Sequence, residues 1–246
     1  MTTGAYLLGA YPNIRLETMV LCNGYRNPAW LAKASSSLSE MSSGRFTLGI
    51  GAGWVESEYR EFGFDYPPNE VRVRQLEEAA QIIKGMWSTD HFTFKGKYYQ
   101  VNDSSCYPKP VNHCLMIGGS GEQLLLRIVA RYANKWNTSM IGDPSVYKVK
   151  VEALRRHCLK VGRDFGEIVK SQLHLVTLAY SDEEAKAMVK GGGLCGMCDV
   201  VGSPRTVLDQ LRKHADLGVD EFRFYFMPFP NIEATQLFVD EIMPKL

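Results

Sequence analysis

The sequence predicts an α/β fold in which parallel strands alternate with helices. Six short β-prone runs are separated by segments whose apolar residues recur every three or four positions, which is the spacing of an amphipathic helix. No low-complexity linker interrupts the chain, so we expect a single domain over residues 1–246. Repeated strand–helix–strand units imply right-handed crossovers and a parallel sheet. Periodicity alone allows both a doubly wound sheet and a (β/α) barrel.

The first hundred residues contain two predicted strands, two helices and a hairpin. A β-prone run over 15–22 is followed by an Asn-Pro pair at 27–28, a capping residue and a first-turn proline that predict a helix start. Residues 45–50 form the second predicted strand. Two prolines and an asparagine at 67–69 open a long amphipathic helix, and the alternating run over 91–101 predicts a hairpin.

The middle of the chain predicts two more strands, each followed by a helix. The run over 114–117 leads directly into a glycine-rich turn, where Ser120 and Gln123 fit a capping box, so a helix should begin at that turn. A short strand is predicted over 135–138. An Asp-Pro pair then opens a helix over 143–161.

The last third repeats the same alternation. A strand over 169–180 is followed by a capping box at 181–184. A helix is predicted over 203–218, because a Ser-Pro pair lies at its start and a glycine at its end. The sixth strand is predicted over 221–226 and a closing helix over 232–243.

Composition favours a small molecule as the partner. Lys plus Arg number 28 against 27 Asp plus Glu, and no basic block is present, which argues against nucleic acid and anionic membranes. The longest apolar runs fall far short of the roughly 20 residues that span a bilayer. The start of the chain lacks the pattern of a secretory signal, and six scattered cysteines indicate reduced thiols. We therefore expect a cytoplasmic protein.

No metal site is predicted. Cys195 and Cys198 form the one CxxC pair, and the five histidines show no spacing that would complete a set of four ligands.

A glycine-rich turn at 118–121 is the first candidate for chemistry. It lies between a predicted strand and a predicted helix, so backbone N–H groups and the positive end of a helix dipole should face one point. Such a point would bind an anion, with phosphate as the expected ligand. A tight turn that needs glycine for its own dihedral angles explains the same residues equally well.

The second candidate is the turn over 49–54, where three glycines precede Trp54. Side chains are absent from the glycine positions, so a ligand can approach the backbone closely. Glu58 follows and would accept hydrogen bonds from a bound ring or ribityl chain; a solvated carboxylate at a helix start is the alternative. No catalytic triad or carboxylate pair stands out, and this pattern is typical of an enzyme whose cofactor carries the chemistry.

Several motifs together resemble the bacterial luciferase-like monooxygenase superfamily, and among its members the chain is most similar to the coenzyme F420-dependent oxidoreductases. The resemblance covers nearly the whole chain. The motifs are Tyr-Arg-Asn-Pro at 25–28, Ser-Gly-Arg-Phe at 43–46, Gly-Ile-Gly-Ala-Gly-Trp at 49–54, Ile-Gly-Gly-Ser-Gly at 117–121 and Ala-Arg-Tyr-Ala at 130–133.

The resemblance implies a TIM-type barrel with a hairpin insertion that binds FMN or coenzyme F420 at the carboxyl ends of its strands. It also implies a strand bulge under the cofactor ring, often with a non-prolyl cis peptide bond, a phosphate turn, and polar contacts to the flavin. By position the cofactor-binding residues would be Met19 and Val20 at the bulge, Gly51, Ala52 and Gly53 along the ring cavity, Glu58 and Arg72 as polar contacts, and Gly118, Gly119, Ser120 and Gly121 at the phosphate.

The chain also departs from the family pattern. Family members begin with two further strand–helix units, whereas residues 1–12 resemble the latter half of the second helix. This leaves about six barrel strands where closure normally takes eight. Either the sequence is a truncated product or gene model, or an incomplete barrel must cover its open edges by dimerisation or rearrangement, and of these we expect a homodimer. No catalytic acid or base can be named in the residues present.

The first hypothesis is therefore a flavin- or deazaflavin-dependent oxidoreductase that transfers hydride to, or oxygenates, a small organic substrate. The alternative is a catalytically silent flavin-binding or scaffold relative, and a phosphate-binding barrel enzyme of sugar metabolism is a weaker third. The deazaflavin carries an acidic tail that would need basic groups near the turn, for which Arg127 and Arg131 are available. The sequence leaves the choice between the two cofactors, and the substrate, open.

Overall fold

The computed structural model describes residues 1–190 and 192–246 and divides into two compact units. Unit one comprises Met1–Trp136 and His157–Ile168, and unit two comprises Asn137–Arg156 and Val169–Leu246. Strands alternate with helices in both, which confirms the predicted α/β class. The assignment of a single domain stays a prediction.

Unit one contains six strands and five whole helices among its described residues. In chain order they are α1 (Thr2–Ala10), β1 (Leu16–Glu17), β2 (Leu21–Cys22), α2 (Pro28–Met41), β3 (Phe46–Gly51), α3 (Glu56–Glu61), α4 (Asn69–Ser88), β4 (Phe92–Lys95), β5 (Gln100–Ser104), β6 (Leu115–Gly118) and α5 (Leu125–Tyr132). The strands β1 and β2 pair in parallel with β3, which pairs in parallel with β6, while β4 and β5 form the predicted antiparallel hairpin.

Local signals explain where the helices of unit one begin. Asn27 caps α2 as predicted, because its Oδ1 accepts hydrogen bonds from the backbone N–H groups of Ala29 and Trp30. The long helix α4 buries one apolar face, and its Trp87 donates from Nε1 to the carbonyl of Ala32 on α2 at 3.0 Å. These contacts hold α2 and α4 together behind the parallel strands.

The first predicted strand is divided in two. The peptide bond between Met19 and Val20 is cis, as the family resemblance implies, and it separates β1 from β2. Thr18 bridges the break, because its Oγ1 donates to the Gly49 carbonyl and accepts from the Gly49 N–H at 2.9 and 2.8 Å. The side chain of Thr18 thus replaces backbone pairing where the strand bulges.

Two elements run from one unit into the other along the chain, β7 (Lys135–Ser139) and α6 (Pro144–Val161). The further elements of unit two are β8 (Val169–Leu178), α7 (Asp182–Lys190), β9 (Val200–Gly202), α8 (Pro204–Asp216), β10 (Glu221–Phe226) and α9 (Ile232–Glu241). The strand β8 pairs in parallel with both β9 and β10, and side chains from these strands pack against α8 and α9 to form the apolar core of the unit.

The structure differs from the predicted elements mainly in short segments. The helix α3 and the three-residue strand β9 were not predicted. One of the two bonds of the capping box predicted at the start of α7 is present, from the Glu184 N–H to Ser181 Oγ at 3.2 Å. No helix within 1–190 or 192–246 is long and apolar enough to cross a membrane.

Candidate cofactor site at the strand ends of unit one

Three parallel strands of unit one end side by side. Cys22 at the end of β2 pairs with Gly51 at the end of β3, and Gly51 pairs with Gly118 at the end of β6. The carboxyl ends of parallel strands are where α/β proteins bind ligands, because the loops that follow meet there. The residues predicted at the bulge, the glycine turn and the phosphate turn are therefore brought to one edge.

Val20 connects two of these strand ends. A Cβ atom on Gly51 would meet Val20 Cγ2 at 2.7 Å, and one on Gly118 would meet Val20 Cγ1 at 2.8 Å. Both positions therefore need glycine so that the Val20 side chain can lie across them. Val20 is half-buried and Met19 is exposed, so the bulge presents an apolar surface above the strand ends.

The glycine turn after β3 is fixed by hydrogen bonds to its carbonyls. The Tyr59 hydroxyl donates to the Ala52 carbonyl at 3.2 Å, and Arg72 Nε donates to the Gly53 carbonyl at 3.2 Å. Gly53 has φ +76°, and a Cβ there would meet Cys22 Sγ at 2.6 Å. The space beneath Gly53 is therefore filled by side chains of the chain itself, which leaves the opposite face of the turn for a ligand.

Arg72 is a structural support of this turn. Its guanidinium is buried, donates to the carbonyls of Gly53 and Pro67, and lies 4.1 Å from the centre of the Tyr66 ring. These bonds use the donors that a direct contact to a flavin would need. The predicted contact between Arg72 and the cofactor stays untested, and the geometry shows how Arg72 acts on the turn through Gly53.

Glu58 lies on α3 and is exposed. Its carboxylate accepts a hydrogen bond from the Tyr25 hydroxyl at 3.4 Å. Burial, with the neighbouring Cys22 and Glu58, raises the pKa of Tyr25 to about 12, so the phenol stays protonated at neutral pH. The predicted role of Glu58 towards the cofactor is not tested by these contacts.

The turn after β6 offers three backbone donors. Among the described residues, the N–H groups of Gly119, Ser120 and Gly121 have no hydrogen-bond partner, and Gly119 has the positive φ of +131°. Gly119 and Ser120 are half-buried and Gly121 is exposed, so these donors are reachable from solvent. Consecutive free amides in such a turn form a nest for an anion.

The predicted capping box at Ser120 and Gln123 is wrong. The helix α5 begins four residues after Gly121, at Leu125, and no side chain caps it. The turn is held instead by Trp136, whose Nε1 donates to the Gly119 carbonyl at 2.8 Å, and by the Leu126 N–H, which donates to the Gly121 carbonyl at 3.0 Å. The Ser120 hydroxyl makes no hydrogen bond in the described part of the chain, so its N–H and Oγ are both available to a ligand.

Sequence reasoning missed the two side chains that shape the site from behind, Tyr59 and Trp136. Both are fully or almost fully buried and carry one polar atom that needs a partner. A buried indole or phenol signals a hydrogen bond, but it does not reveal which carbonyl accepts it, since the acceptors lie 7 and 17 residues away.

No group of three or more His, Cys, Asp or Glu side chains in the described part of the chain is placed to hold a metal ion. The arrangement therefore offers backbone donors, an apolar surface and rigid glycine turns. Those features suit a planar cofactor with a terminal phosphate.

The chain is similar to known proteins over most of its length. The sequence profile of the family described as luciferase-like monooxygenase matches residues 1–194. The chain is 24% identical to the FMNH(2)-dependent dimethylsulfone monooxygenase of Pseudomonas putida, a match that covers 99% of this chain and 77% of that protein. It is 30% identical to the pyrimidine monooxygenase RutA of Stutzerimonas stutzeri (strain A1501), over 65% of this chain and 45% of that protein.

A solved structure shows the same fold. An F420-dependent secondary alcohol dehydrogenase, in complex with an F420-acetone adduct, superimposes with a TM-score of 0.85 at 18% identity, covering 97% of this chain and 81% of that one. The chain spans less than half the length of the pyrimidine monooxygenase and about four fifths of this dehydrogenase.

Proposed function

The chain belongs to the luciferase-like monooxygenase family, and on that premise we propose that it is an oxidoreductase that binds FMN at the strand ends of unit one. One observation carries the proposal: Val20 lies across the glycines that end β3 and β6, next to three unpartnered amides in the turn that follows β6. A bound flavin supplies the hydride transfer or the oxygen activation that protein side chains cannot.

The residues present fit such a group. The N–H groups of Gly119, Ser120 and Gly121 would donate to the terminal phosphate, for which free amides in a turn are well suited. Met19 and Val20 would support one face of the ring, and Arg72 keeps the Gly53 carbonyl fixed beside it. Tyr25 and Tyr59 both have a raised pKa because they are partly or fully buried, so they act as hydrogen-bond donors at neutral pH.

FMN fits better than coenzyme F420 because the nearby cations are already engaged. Glu77 on α4 accepts hydrogen bonds from Arg127 at 3.0 Å and from Arg131 at 3.3 Å. The acidic tail of the deazaflavin would have to compete with Glu77 for these two guanidinium groups. FMN ends at a single phosphate, which the amide turn can bind without them.

The test compares two substitutions at one exposed position. Gly121→Pro removes the backbone donor, whereas Gly121→Ala keeps it and meets nothing closer than Leu125 Cβ at 3.6 Å. We expect the proline variant to bind FMN about tenfold more weakly, the loss of one charge-assisted hydrogen bond, and the alanine variant to bind as the parent does. Binding is measured by quenching of flavin fluorescence.

Two outcomes would contradict the proposal. The first is equal FMN affinity in both variants, since the amide would then not bind the phosphate. The second is an absence of binding by the unmodified chain at about 50 μM of FMN or F420, a concentration at which even a weak specific site is occupied. If the chain retains FMN but oxidises no substrate, the alternative of a catalytically silent, flavin-binding relative would be supported instead.

We also propose that the protein forms a homodimer in the cytoplasm. Large apolar side chains are exposed on α1 and α2, with exposed fractions of 72% for Tyr6, 61% for Trp30 and 79% for Met41. Exposed apolar surface of this kind is often covered by a partner. Light scattering of the purified full chain gives the mass, and a monomer at about 50 μM, well above the dissociation constants of stable dimers, would contradict the dimer.

A further inference from the structure

A second cavity lies beside the candidate cofactor site in unit one. It has a volume of about 380 Å³, within the range of small-molecule sites. The loop after β2 contributes Gly24 and Arg26, α3 and the loop after it contribute Tyr59 and Phe64, and Gln75 and Tyr99 complete the wall. Tyr59 is shared with the proposed cofactor site, whereas Arg26, Gln75 and Tyr99 have no role in it.

Arg26 provides a cation with unused donors. One guanidinium nitrogen, NH1, donates to the Cys22 carbonyl at 3.1 Å, and the other two nitrogens have no partner among the described residues. Arg26 is half-buried, and the helix α2 begins two residues later, so the positive end of its dipole faces the same region. A guanidinium with two free nitrogens binds a carboxylate in a bidentate manner.

Neutral hydrogen-bonding groups also line the cavity. The Gln75 amide makes no hydrogen bond in the described part of the chain. The Tyr99 hydroxyl accepts a hydrogen bond from Asn23 Nδ2 at 3.1 Å, and burial raises the pKa of Tyr99, so its proton remains available to donate. The cavity therefore offers both a cation and uncharged donors to a ligand.

The remaining wall is aromatic and held in place. Phe64 stacks on Tyr25 with ring centres 4.9 Å apart, and Tyr59 meets Tyr25 edge to face at 4.6 Å. Tyr59 is almost fully buried behind Tyr25, whereas Phe64 is exposed, so the free face of the Phe64 ring is the flat apolar surface of this wall. A planar ligand gains contact area there without having to order the side chains first.

We propose that this cavity binds a small planar organic carboxylate, with Arg26 holding the carboxylate group and the Phe64 ring packing against the body of the molecule. Asp65 also lines the cavity, but it is exposed, so its repulsion is weakened by solvent. The site touches the cofactor region through Tyr59, whose hydroxyl bonds to the Ala52 carbonyl. The proposal does not depend on which flavin is bound.

The experiment titrates the full chain, without flavin, with benzoate and with its uncharged amide, benzamide, in a calorimeter. The two probes have the same ring and differ in charge. We expect benzoate to bind and benzamide to bind at least about tenfold more weakly, since a charge-assisted bidentate contact is lost. Equal binding of the two probes, or no benzoate binding at about 20 mM, would overturn the proposal.

Three variants locate the carboxylate. Arg26→Gln should weaken benzoate binding about tenfold, and Asp65→Asn should strengthen it about twofold by removing a like charge. Arg74→Gln is the matched control, because Arg74 is exposed on α4 and pairs with Glu70 away from the cavity. A weakening by Asp65→Asn would show that the cavity prefers a cation and would contradict the proposal.

The results of the benzoate titrations can be told apart from the results of the FMN-binding experiment. The Asp65→Asn result does not require Arg26→Gln to fold, and thermal melting checks both variants. Because benzoate is titrated in the absence of flavin, a chain that fails to bind FMN can still bind benzoate, and the reverse also holds.

Discussion

Two groups of polar atoms without a protein partner, one in each unit, differ in whether solvent can reach them. In unit one the N–H groups of Gly119, Ser120 and Gly121 are unpartnered at a turn that solvent can reach. In unit two, Nε2 of His174 and Nδ1 of His214 are among the side-chain atoms that have no partner in the described part of the chain, and both side chains are fully buried. A hydrogen-bond donor that solvent reaches can exchange its bound water for a ligand with little loss of free energy. A polar group that is buried without a partner reaches no ligand and only lowers the stability of the fold.

The buried pair of unit two belongs to a small polar network. His174 Nδ1 lies 2.7 Å from Asp199 Oδ2, the rings of His174 and His214 are 5.1 Å apart, and His214 Nε2 lies 3.2 Å from the carbonyl of Gly142. His174 of this network lies on β8 and His214 on α8, both in unit two. The comparison predicts that changes in unit two alter stability and leave FMN binding intact, whereas changes at the strand ends of unit one alter binding.

The largest effect is expected from His174→Ala. It removes the partner of a nearly buried carboxylate and leaves Asp199 with only the Leu175 N–H as a donor. Breaking a buried pair in this way should lower the free energy of unfolding by about 3 kcal/mol. Urea denaturation measures the loss, and FMN affinity should be unchanged at a temperature where the variant is folded.

His174→Asn is the matched control, because an asparagine amide can reach Asp199 from the position of Nδ1. It should recover part of the stability. If His174→Ala weakens FMN binding as strongly as a change at the phosphate turn does, the contrast between the units is wrong.

The next effect concerns the packing of Val20. Gly51→Ala places a methyl group against Val20 Cγ2 and should destabilise unit one by about 2 kcal/mol, the usual cost of overpacking, while also weakening FMN binding. In the double variant Val20→Ala with Gly51→Ala the clash is gone, so part of the stability should return. A double-mutant cycle by urea denaturation measures the coupling, and simple additivity would show that Val20 does not lie across Gly51.

A smaller effect concerns pH. Burial lowers the pKa of His214, with His174 adding to the shift and with Asp199, Asp143 and the Gly142 carbonyl opposing it. Because the pKa of His214 is lower in the folded state, the unfolded chain binds the proton more readily. The contribution of His214 to the free energy of unfolding is therefore fully present above a pH of about 6.5 and is lost as the pH falls below it. The slope contributed by one such proton is at most about 1.4 kcal/mol per pH unit.

The measurement compares urea midpoints from pH 8 to pH 5 for the parent and for His214→Gln, whose amide can still donate to Gly142. We expect a shallower decline in the variant. His91→Gln serves as the control, because His91 is exposed and pairs with Asp103. If the urea midpoint falls equally with pH in the parent and in His214→Gln, protonation of His214 is not the cause of the decline.

The sequence predicted best those features whose information lies within a few residues. The cap by Asn27, the capping box at Ser181 and the hairpin follow from local patterns, and the family resemblance located the cis bond at Met19 and Val20. The strand β9 was missed because three residues are too few to show alternation.

The site itself could be predicted only in outline. The glycines at 51 and 118 were expected to make room for a ligand, whereas the structure shows that they first make room for Val20. The capping box at Ser120 failed because Trp136, seventeen residues from Gly119, holds the turn in another conformation. Both facts depend on contacts between distant parts of the chain, which periodicity and turn chemistry do not contain.

The smallest expected effect bears on the choice of cofactor. Glu77→Gln removes the carboxylate that engages Arg127 and Arg131, so both guanidinium groups become free to meet an acidic tail. We expect F420 to bind about threefold more tightly and FMN affinity to stay the same, because partly exposed ion pairs contribute less than about 1 kcal/mol. Glu70→Gln, which breaks the exposed pair with Arg74 on the same helix, is the control. An unchanged ratio of the two affinities would show that these arginines do not limit deazaflavin binding, and the preference for FMN would then have to rest on the amide turn alone.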